Sequence, residues 1–162
     1  MMGKGRIIGL DLGLRRIGVA MSDPLGLTAQ AHETWERSPG ATGWGGDVER
    51  LGKLVRDSGA TMVVIGLPRN MDGSYGPAAA LAREFAAKAR QALLGDGVEV
   101  NLWDERLTTR AAERALLEAD LSRKKRREVI DKTAAAVMLA GFLRSREGAR
   151  KQPEGGKEVE ES

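Results

Sequence analysis

The sequence contains no cysteine and only one histidine, His32. Disulfide bonds, thiolate metal sites and a cysteine nucleophile are therefore excluded. A cluster of histidines cannot hold a metal ion either. Any bound metal must be held mainly by carboxylates, which favours hard cations such as Mg²⁺ or Mn²⁺.

Long hydrophobic runs are also missing. The first apolar run is broken at Asp11, which is not the pattern of a signal peptide, and no stretch approaches transmembrane length. We therefore expect a cytoplasmic protein with no membrane partner. A chain of 162 residues that is 41% hydrophobic and 30% charged is typical of one soluble globular domain with a sizeable core. The net charge is only +3, but the basic residues are clustered.

The order of apolar patterns predicts an α/β fold. Two short apolar runs, separated by a glycine and two arginines, indicate a β-hairpin from the centre of a sheet. Later strands alternate with helices, so we expect a mixed sheet in which three antiparallel strands are followed by parallel ones, with helices on both faces. The predicted strands lie at 7–10, 17–21, within 25–36, at 61–66 and at 98–103, and the predicted helices at 47–57, 81–93, 107–118 and about 128–146.

Two segments have the composition of irregular structure. Residues 38–46 are dense in Gly, Pro and Ser, which predicts a flexible loop. Residues 148–162 contain almost nothing apolar, which predicts a disordered polar tail. The folded domain is accordingly expected at 1–147.

Four acids lie at the ends of predicted elements. Asp11 interrupts a strand, where an unpaired carboxylate would be costly to bury, although an aspartate can also simply begin a turn. Asp104 and Glu105 follow the last strand, at the edge where α/β sheets bind ligands, but only one of two adjacent residues can face a given site. They could instead stabilise the first turn of a helix. Asp131 shares a helix face with apolar residues, and the helix dipole does not explain that inward position.

Basic residues near these acids could bind phosphates, with an affinity that falls as salt rises. The five consecutive bases at 123–127 lie in a predicted hinge and could equally form a solvated surface. Trp35, Trp44 and Tyr75 could stack on bases, although Trp35 suits a core position as well. The candidate nucleic-acid contacts are Arg15, Arg16, Arg69, Arg106, Lys124 and Lys125.

Four ordered segments resemble the RuvX family, also called YqgF. They are GLDLGLRRIGVAMSDPLGLTAQ, VIGLPRNMDGSYGP, WDERLTT and IDKTAAAVML, and the resemblance spans about residues 5 to 145. The family is described as a pre-16S rRNA nuclease or a Holliday junction resolvase. The resemblance therefore implies an RNase H-like nuclease domain. One departure is Leu14, where the family commonly has a small hydroxyl residue.

By resemblance, the catalytic and metal-binding residues are Asp11, Glu105 and Asp131, holding Mg²⁺ or Mn²⁺. Asp104 is the less certain member of its pair. The implied reaction is metal-dependent hydrolysis of a nucleic-acid phosphodiester, with maturation of the 5′ end of pre-16S rRNA as the expected role. The expected partner is therefore RNA, a DNA junction is the alternative, and the chain could be a monomer or a homodimer.

Three other functions fit parts of the sequence. Resolution of four-way DNA junctions uses the same chemistry but needs two symmetric sites, which a stable dimer would supply. A nucleic-acid-binding module without activity would use the acids only structurally. An ATPase of the actin and sugar-kinase type also opens with a DLG hairpin, but it needs two such domains and this chain has room for one.

Overall fold

The computed structural model describes residues 5–37, 43–70, 72–105 and 123–151. This part of the chain forms one five-stranded sheet with helices packed on it. The strands are β1 (Ile7–Leu12), β2 (Arg16–Ser22), β3 (Ala29–Glu36), β4 (Met62–Pro68) and β5 (Glu99–Glu105), and the helices are α1 (Gly45–Ser58), α2 (Pro77–Ala92) and α3 (Arg123–Lys151). One 3₁₀ turn, Leu94–Asp96, lies between α2 and β5.

The strand order in the sheet is β3-β2-β1-β4-β5, which puts β1 at the centre. β1 pairs with β2 and β2 with β3 in antiparallel fashion, whereas β1 pairs with β4 and β4 with β5 in parallel. The parallel connections run through helices, as a parallel pair requires. The predicted mixed sheet, with antiparallel strands first and parallel strands second, is confirmed.

Alternate residues of each strand face opposite sides of the sheet, and each side has its own core. Ile8, Leu10 and Ile65 belong to the larger core beneath α1 and α2, which also contains Phe85. The smaller core lies beneath α3 and is built from Ile7, Ala20, Val64, Ala135, Met138, Leu139 and Leu143. Helices therefore cover both faces, as the sequence predicts.

The helix α3 comes unusually close to the sheet at Gly9. A Cβ atom built on Gly9 would lie only 3.0 Å from the Cβ atom of Leu139, which is fully buried. A side chain in the middle of β1 would therefore push the helix away. The glycine lets α3 pack directly on the central strand.

Several boundaries differ from the predicted ones. The helix α3 begins at Arg123, so the five bases at 123–127 belong to a helix rather than to a hinge. It continues to Lys151, so residues 148–151 of the predicted tail are helical; residues 152–162 and the predicted helix at 107–118 lie outside the described residues. Within the described part of the chain, we find no helix that is both long and apolar enough to cross a membrane.

Two tryptophans that were candidates for base stacking are core residues. Trp44 is 3% exposed and packs edge-on against Phe85, with ring centroids 5.3 Å apart. Trp35 is 4% exposed in the same core. Neither can stack on a nucleic acid in this structure. Because Trp44 directly precedes α1, the end of the predicted flexible loop is anchored.

The approach of α3 to Gly9 predicts a specific stability effect. Gly9→Ala places a methyl group against Leu139, and we expect the free energy of unfolding in urea to fall by about 1–3 kcal/mol. Gly46→Ala, whose Cβ would meet nothing within 4 Å, is the control and should leave stability unchanged or raise it. Combining Gly9→Ala with Leu139→Ala should cost less than the sum of the single effects. Strict additivity would contradict the contact.

The loop that follows β2 is ordered by one carboxylate. Asp23 accepts hydrogen bonds from the backbone N–H groups of Thr28 and Leu27, both at 2.7 Å, and of Leu25 at 3.2 Å. These bonds, led by the one from Thr28, lower the pKa of Asp23 below its usual 3.8.

This lowered pKa predicts a pH-dependent contribution of Asp23. A carboxylate with a lowered pKa stabilises the folded state above its ordinary pKa, and the effect is lost as the pH falls through the lowered value. We expect Asp23→Asn to be less stable than the wild type at pH 7, with a difference that shrinks below about pH 4. Thermal unfolding between pH 2.5 and 7 measures this. A difference that is constant across that range would contradict the assignment.

Candidate active site

Asp11 is a carboxylate buried in the central strand. It is 6% exposed and lies one residue before the end of β1. Ile7 and Gly9 share its side of the strand, and both contact the core beneath α3. Asp11 therefore faces the α3 side of the sheet, near the carboxyl ends of the three parallel strands.

Glycines occupy the neighbouring positions on both sides of Asp11. Asp11 pairs with Gly18 of β2. On β4, Leu10 pairs with Ile65, so one step further along the two parallel strands Asp11 is level with Gly66. Both glycines alternate with residues of the α3-side core, Ala20 and Val64, and so share the face of Asp11. The carboxylate consequently has no side chain beside it on either neighbouring strand.

Glu105 lies at the same edge and on the same face. It is the last residue of β5 and pairs with Pro68 of β4. Trp103, two residues earlier, packs against Phe142 of α3 with ring centroids 5.7 Å apart. The two-residue period of a strand therefore places Glu105 on the α3 face. The strands β1 and β5 are two strand spacings apart, about 10 Å, and Gly66 lies between them.

Asp131 lies on the stripe of α3 that packs on the sheet. It precedes Ala135 by about one helical turn and Met138 by about two, and both of these residues are buried. The side chains of Glu105 and Asp131 lie outside the described part of the structure. Among the side chains that are described, no three acids or histidines are grouped closely enough to hold a metal. What the structure establishes is the positions of these residues in the sheet and the helix.

These positions fit a hard divalent cation. The donors are carboxylates, and Mg²⁺ is bound through one or two carboxylates together with water and substrate phosphate. A buried carboxylate is costly unless positive charge or hydrogen bonds compensate it. The neighbouring positions on β2 and β4, both glycines, add no side chain that would compete with such a cation for Asp11.

Asp104 points away from this group. It alternates with Leu102, which packs against the core beneath α1 and α2. Its carboxylate accepts a hydrogen bond from the hydroxyl of Tyr75, at 3.1 and 3.2 Å to its two oxygens, and lies 3.7 Å from Nη1 of Arg69. The register therefore separates the two adjacent acids onto opposite faces of the sheet.

The candidate phosphate contacts are spread around this edge. Arg15 is exposed in the β1–β2 turn, and Arg16 starts β2 on the face of Gly18. Arg69 is half-exposed although it contacts Asp104. Arg106 lies outside the described residues. Lys124 and Lys125 lie in the first turn of α3, with side chains outside the described part.

Sequence reasoning overlooked Arg37, which holds the β1–β2 turn in place. Its side chain is only 4% exposed, donates hydrogen bonds to Asp47 at 2.9 Å and to the carbonyl of Leu14 at 3.2 Å, and stacks on Trp44 at 4.0 Å from the ring centroid. The same turn requires Gly13, because a Cβ there would lie 2.8 Å from the carbonyl oxygen of Arg16. The sequence signal for Arg37 is weak, since an arginine after a strand is ordinarily exposed.

The mixed five-stranded sheet with helices on both faces has the RNase H-like fold. Solved structures of Thermus thermophilus RuvC share this fold. One of them, in complex with a Holliday junction substrate, has a TM-score of 0.55 at 16% identity and covers 89% of this chain and 96% of that one. At this identity the likeness shows the fold alone.

The family model for RuvX, described as Holliday junction resolvase, matches residues 5–145. The chain belongs to the RuvX family, and thus to the nucleases that hydrolyse phosphodiester bonds. A relative from Halalkalibacterium halodurans, named "Putative pre-16S rRNA nuclease", is 51% identical over 138 residues, which cover 85% of this chain and 95% of that protein. A relative of the same name from Symbiobacterium thermophilum is 52% identical over 150 residues, covering 92% and 97%.

The glycine beside Asp11 provides a test of the site. We expect Gly66→Val to bind Mn²⁺ at least about tenfold more weakly, because it adds a side chain at the position on β4 that is level with Asp11. Electron paramagnetic resonance of free Mn²⁺ measures the affinity, and circular dichroism monitors folding. Gly46→Ala is the control. Unchanged Mn²⁺ affinity in a folded Gly66→Val protein would contradict a cation at this position.

Proposed function

We propose that this nuclease is a metal-dependent endonuclease that matures the 5′ end of pre-16S rRNA. The observation that carries the proposal is the burial of Asp11 between two glycines, near the end of the sheet where β5 ends at Glu105. The two glycines keep the neighbouring strand positions free of side chains beside this carboxylate. The family match and the names of the relatives support the same reaction class.

In this proposal Asp11 and Asp131 hold Mg²⁺ or Mn²⁺. Glu105 is either a third ligand or the base that orients the attacking water. A divalent cation held by these residues would supply a more acidic water and positive charge for the phosphate in the transition state. The protein contributes a fixed backbone at all three positions, since two lie in the sheet and one in a helix packed on it.

The basic residues at this edge would position the phosphate chain. Arg16 begins β2 on the face of Asp11, and Arg15 is exposed in the turn that precedes it. We assign phosphate contacts also to Arg69, Arg106, Lys124 and Lys125. Since α3 begins at Arg123, the two lysines lie in its first turn, about two helical turns before Asp131.

RNA is the favoured substrate because the relatives at about half identity carry the rRNA nuclease name. The description of the family model and the shared fold with RuvC favour a DNA junction instead. Junction cleavage needs two symmetric sites, so a monomer in solution would count against it. Processing of rRNA would place the protein in the cytoplasm.

Cleavage by an Asp11 variant tests this proposal. A labelled RNA spanning the 5′ end of 16S rRNA is incubated with Mn²⁺ or Mg²⁺, and a four-way DNA junction is run in parallel. We expect Asp11→Asn to lose at least about a hundredfold in cleavage rate, because a neutral amide neither holds the cation firmly nor balances its charge. The control is Asp57→Asn, which neutralises an exposed aspartate paired with Lys53 on α1.

The outcomes separate the alternatives. Metal-dependent RNA cleavage that is lost in Asp11→Asn and kept in Asp57→Asn supports the rRNA nuclease. Cleavage of the junction alone would overturn the rRNA role in favour of a resolvase. Nucleic-acid binding without cleavage by the wild type would make the acids structural and overturn the enzymatic proposal.

A further inference from the structure

Three side chains meet at the end of β5 on the face opposite Asp11. The hydroxyl of Tyr75 donates to the carboxylate of Asp104, and Nη1 of Arg69 lies 3.7 Å from the same carboxylate. The guanidinium of Arg69 is also 5.4 Å from the centroid of the Tyr75 ring. We call these three residues the Asp104 cluster. The cluster connects the end of β5 to the segment that follows β4.

The segment on the other side of this cluster has its own internal bonds. The N–H of Asn70 donates to the carbonyl of Ser74 at 2.8 Å, and the N–H of Gly73 donates to the carbonyl of Asn70 at 2.9 Å. The guanidinium of Arg69 donates to the carbonyl of Gly73 at 3.2 and 3.3 Å. Gly73 has φ +89°, a conformation that favours glycine. The segment is thus a folded turn that can hold Asp104.

Asp104 immediately precedes Glu105, and β5 is an edge strand bonded only to β4 within the described sheet. Within the described residues, Glu105 is the last residue of β5 that pairs with β4, opposite Pro68. An additional contact one residue earlier would limit how far Glu105 can move.

We propose that the Asp104 cluster is a positioning device for Glu105. This inference rests on the proposed function, since it gives Glu105 its role in hydrolysis. Asp104 fixes the end of β5 through Tyr75 and Arg69 on one face, and it thereby fixes the backbone position of Glu105, the next residue in the strand. Asp104 is a positioning residue and not a metal ligand. Its side chain is 47% exposed, so the cluster adds little to global stability.

Substitutions of different severity distinguish positioning from direct participation. Asp104→Asn keeps an oxygen that accepts the Tyr75 hydroxyl bond, whereas Asp104→Ala removes it. We expect kcat for RNA cleavage to fall about tenfold in Asp104→Ala, which loses both contacts, and about threefold in Tyr75→Phe, which keeps the contact of Asp104 with Arg69. Asp104→Asn should stay within about threefold of the wild type because one of its two contacts is kept. KM should be unchanged in all three, and Asp57→Asn is the matched control.

Two measurements do not depend on cleavage. Hydrogen exchange of the amides at 104 and 105 should become faster in Asp104→Ala and Tyr75→Phe. The Mn²⁺ affinity of the free protein, measured by electron paramagnetic resonance, should fall in the same two variants. If the wild type cleaves neither RNA nor junction, the proposed function fails, and these two measurements still decide whether the cluster positions Glu105.

Three results would overturn the inference. If Asp104→Asn is as damaged as Asp104→Ala, the carboxylate charge acts directly. If KM rises while kcat is kept, the cluster binds RNA instead of positioning Glu105. If kcat, Mn²⁺ affinity and hydrogen exchange in Asp104→Ala and Tyr75→Phe all match the wild type, the cluster has no positioning role.

Discussion

The burial of one carboxylate in the central strand is the constraint on which the site depends. Removing an ionised carboxylate from water costs several kcal/mol unless charge or hydrogen bonds compensate it. Asp11 lies at a position that is 6% exposed, where its neighbours on β2 and β4 are both glycines. A divalent cation held there would add positive charge to the groups that compensate this carboxylate.

The two faces of the sheet carry different cores and different polar residues. The face beneath α1 and α2 carries the larger apolar core, and the Asp104 cluster lies at its edge. The face beneath α3 has a smaller core, and its edge carries Asp11 and Glu105. The close approach of α3 at Gly9 sets the height of this helix above the sheet, and with it the position of Asp131.

Much of the fold followed from periodicity, because the apolar runs at the strands and the spacing in α1 and α2 are unambiguous. The αL conformation of Gly59 at the end of α1 was also predictable from its sequence position. The exact ends of the elements could not be predicted. The bases at 123–127 are an example, because a charged segment can be helical when residues further along the same helix pack on the sheet. Trp44 was wrongly predicted as a candidate for base stacking, because it lies in a Gly-rich segment that is typical of an exposed loop although its side chain is buried.

The site was predictable only as a set of residues. The resemblance selected Asp11, Glu105 and Asp131. That two glycines lie beside Asp11 becomes visible only from the pairing of β2 and β4 with β1. The separation of Asp104 from Glu105 follows from strand alternation, whereas the partners of Asp104 required the three-dimensional structure. The most direct test of the central claim is anomalous diffraction from crystals of the protein soaked in Mn²⁺. The account predicts a peak beside Asp11, with Glu105 and Asp131 around it. A peak elsewhere, or none at millimolar Mn²⁺, would contradict it.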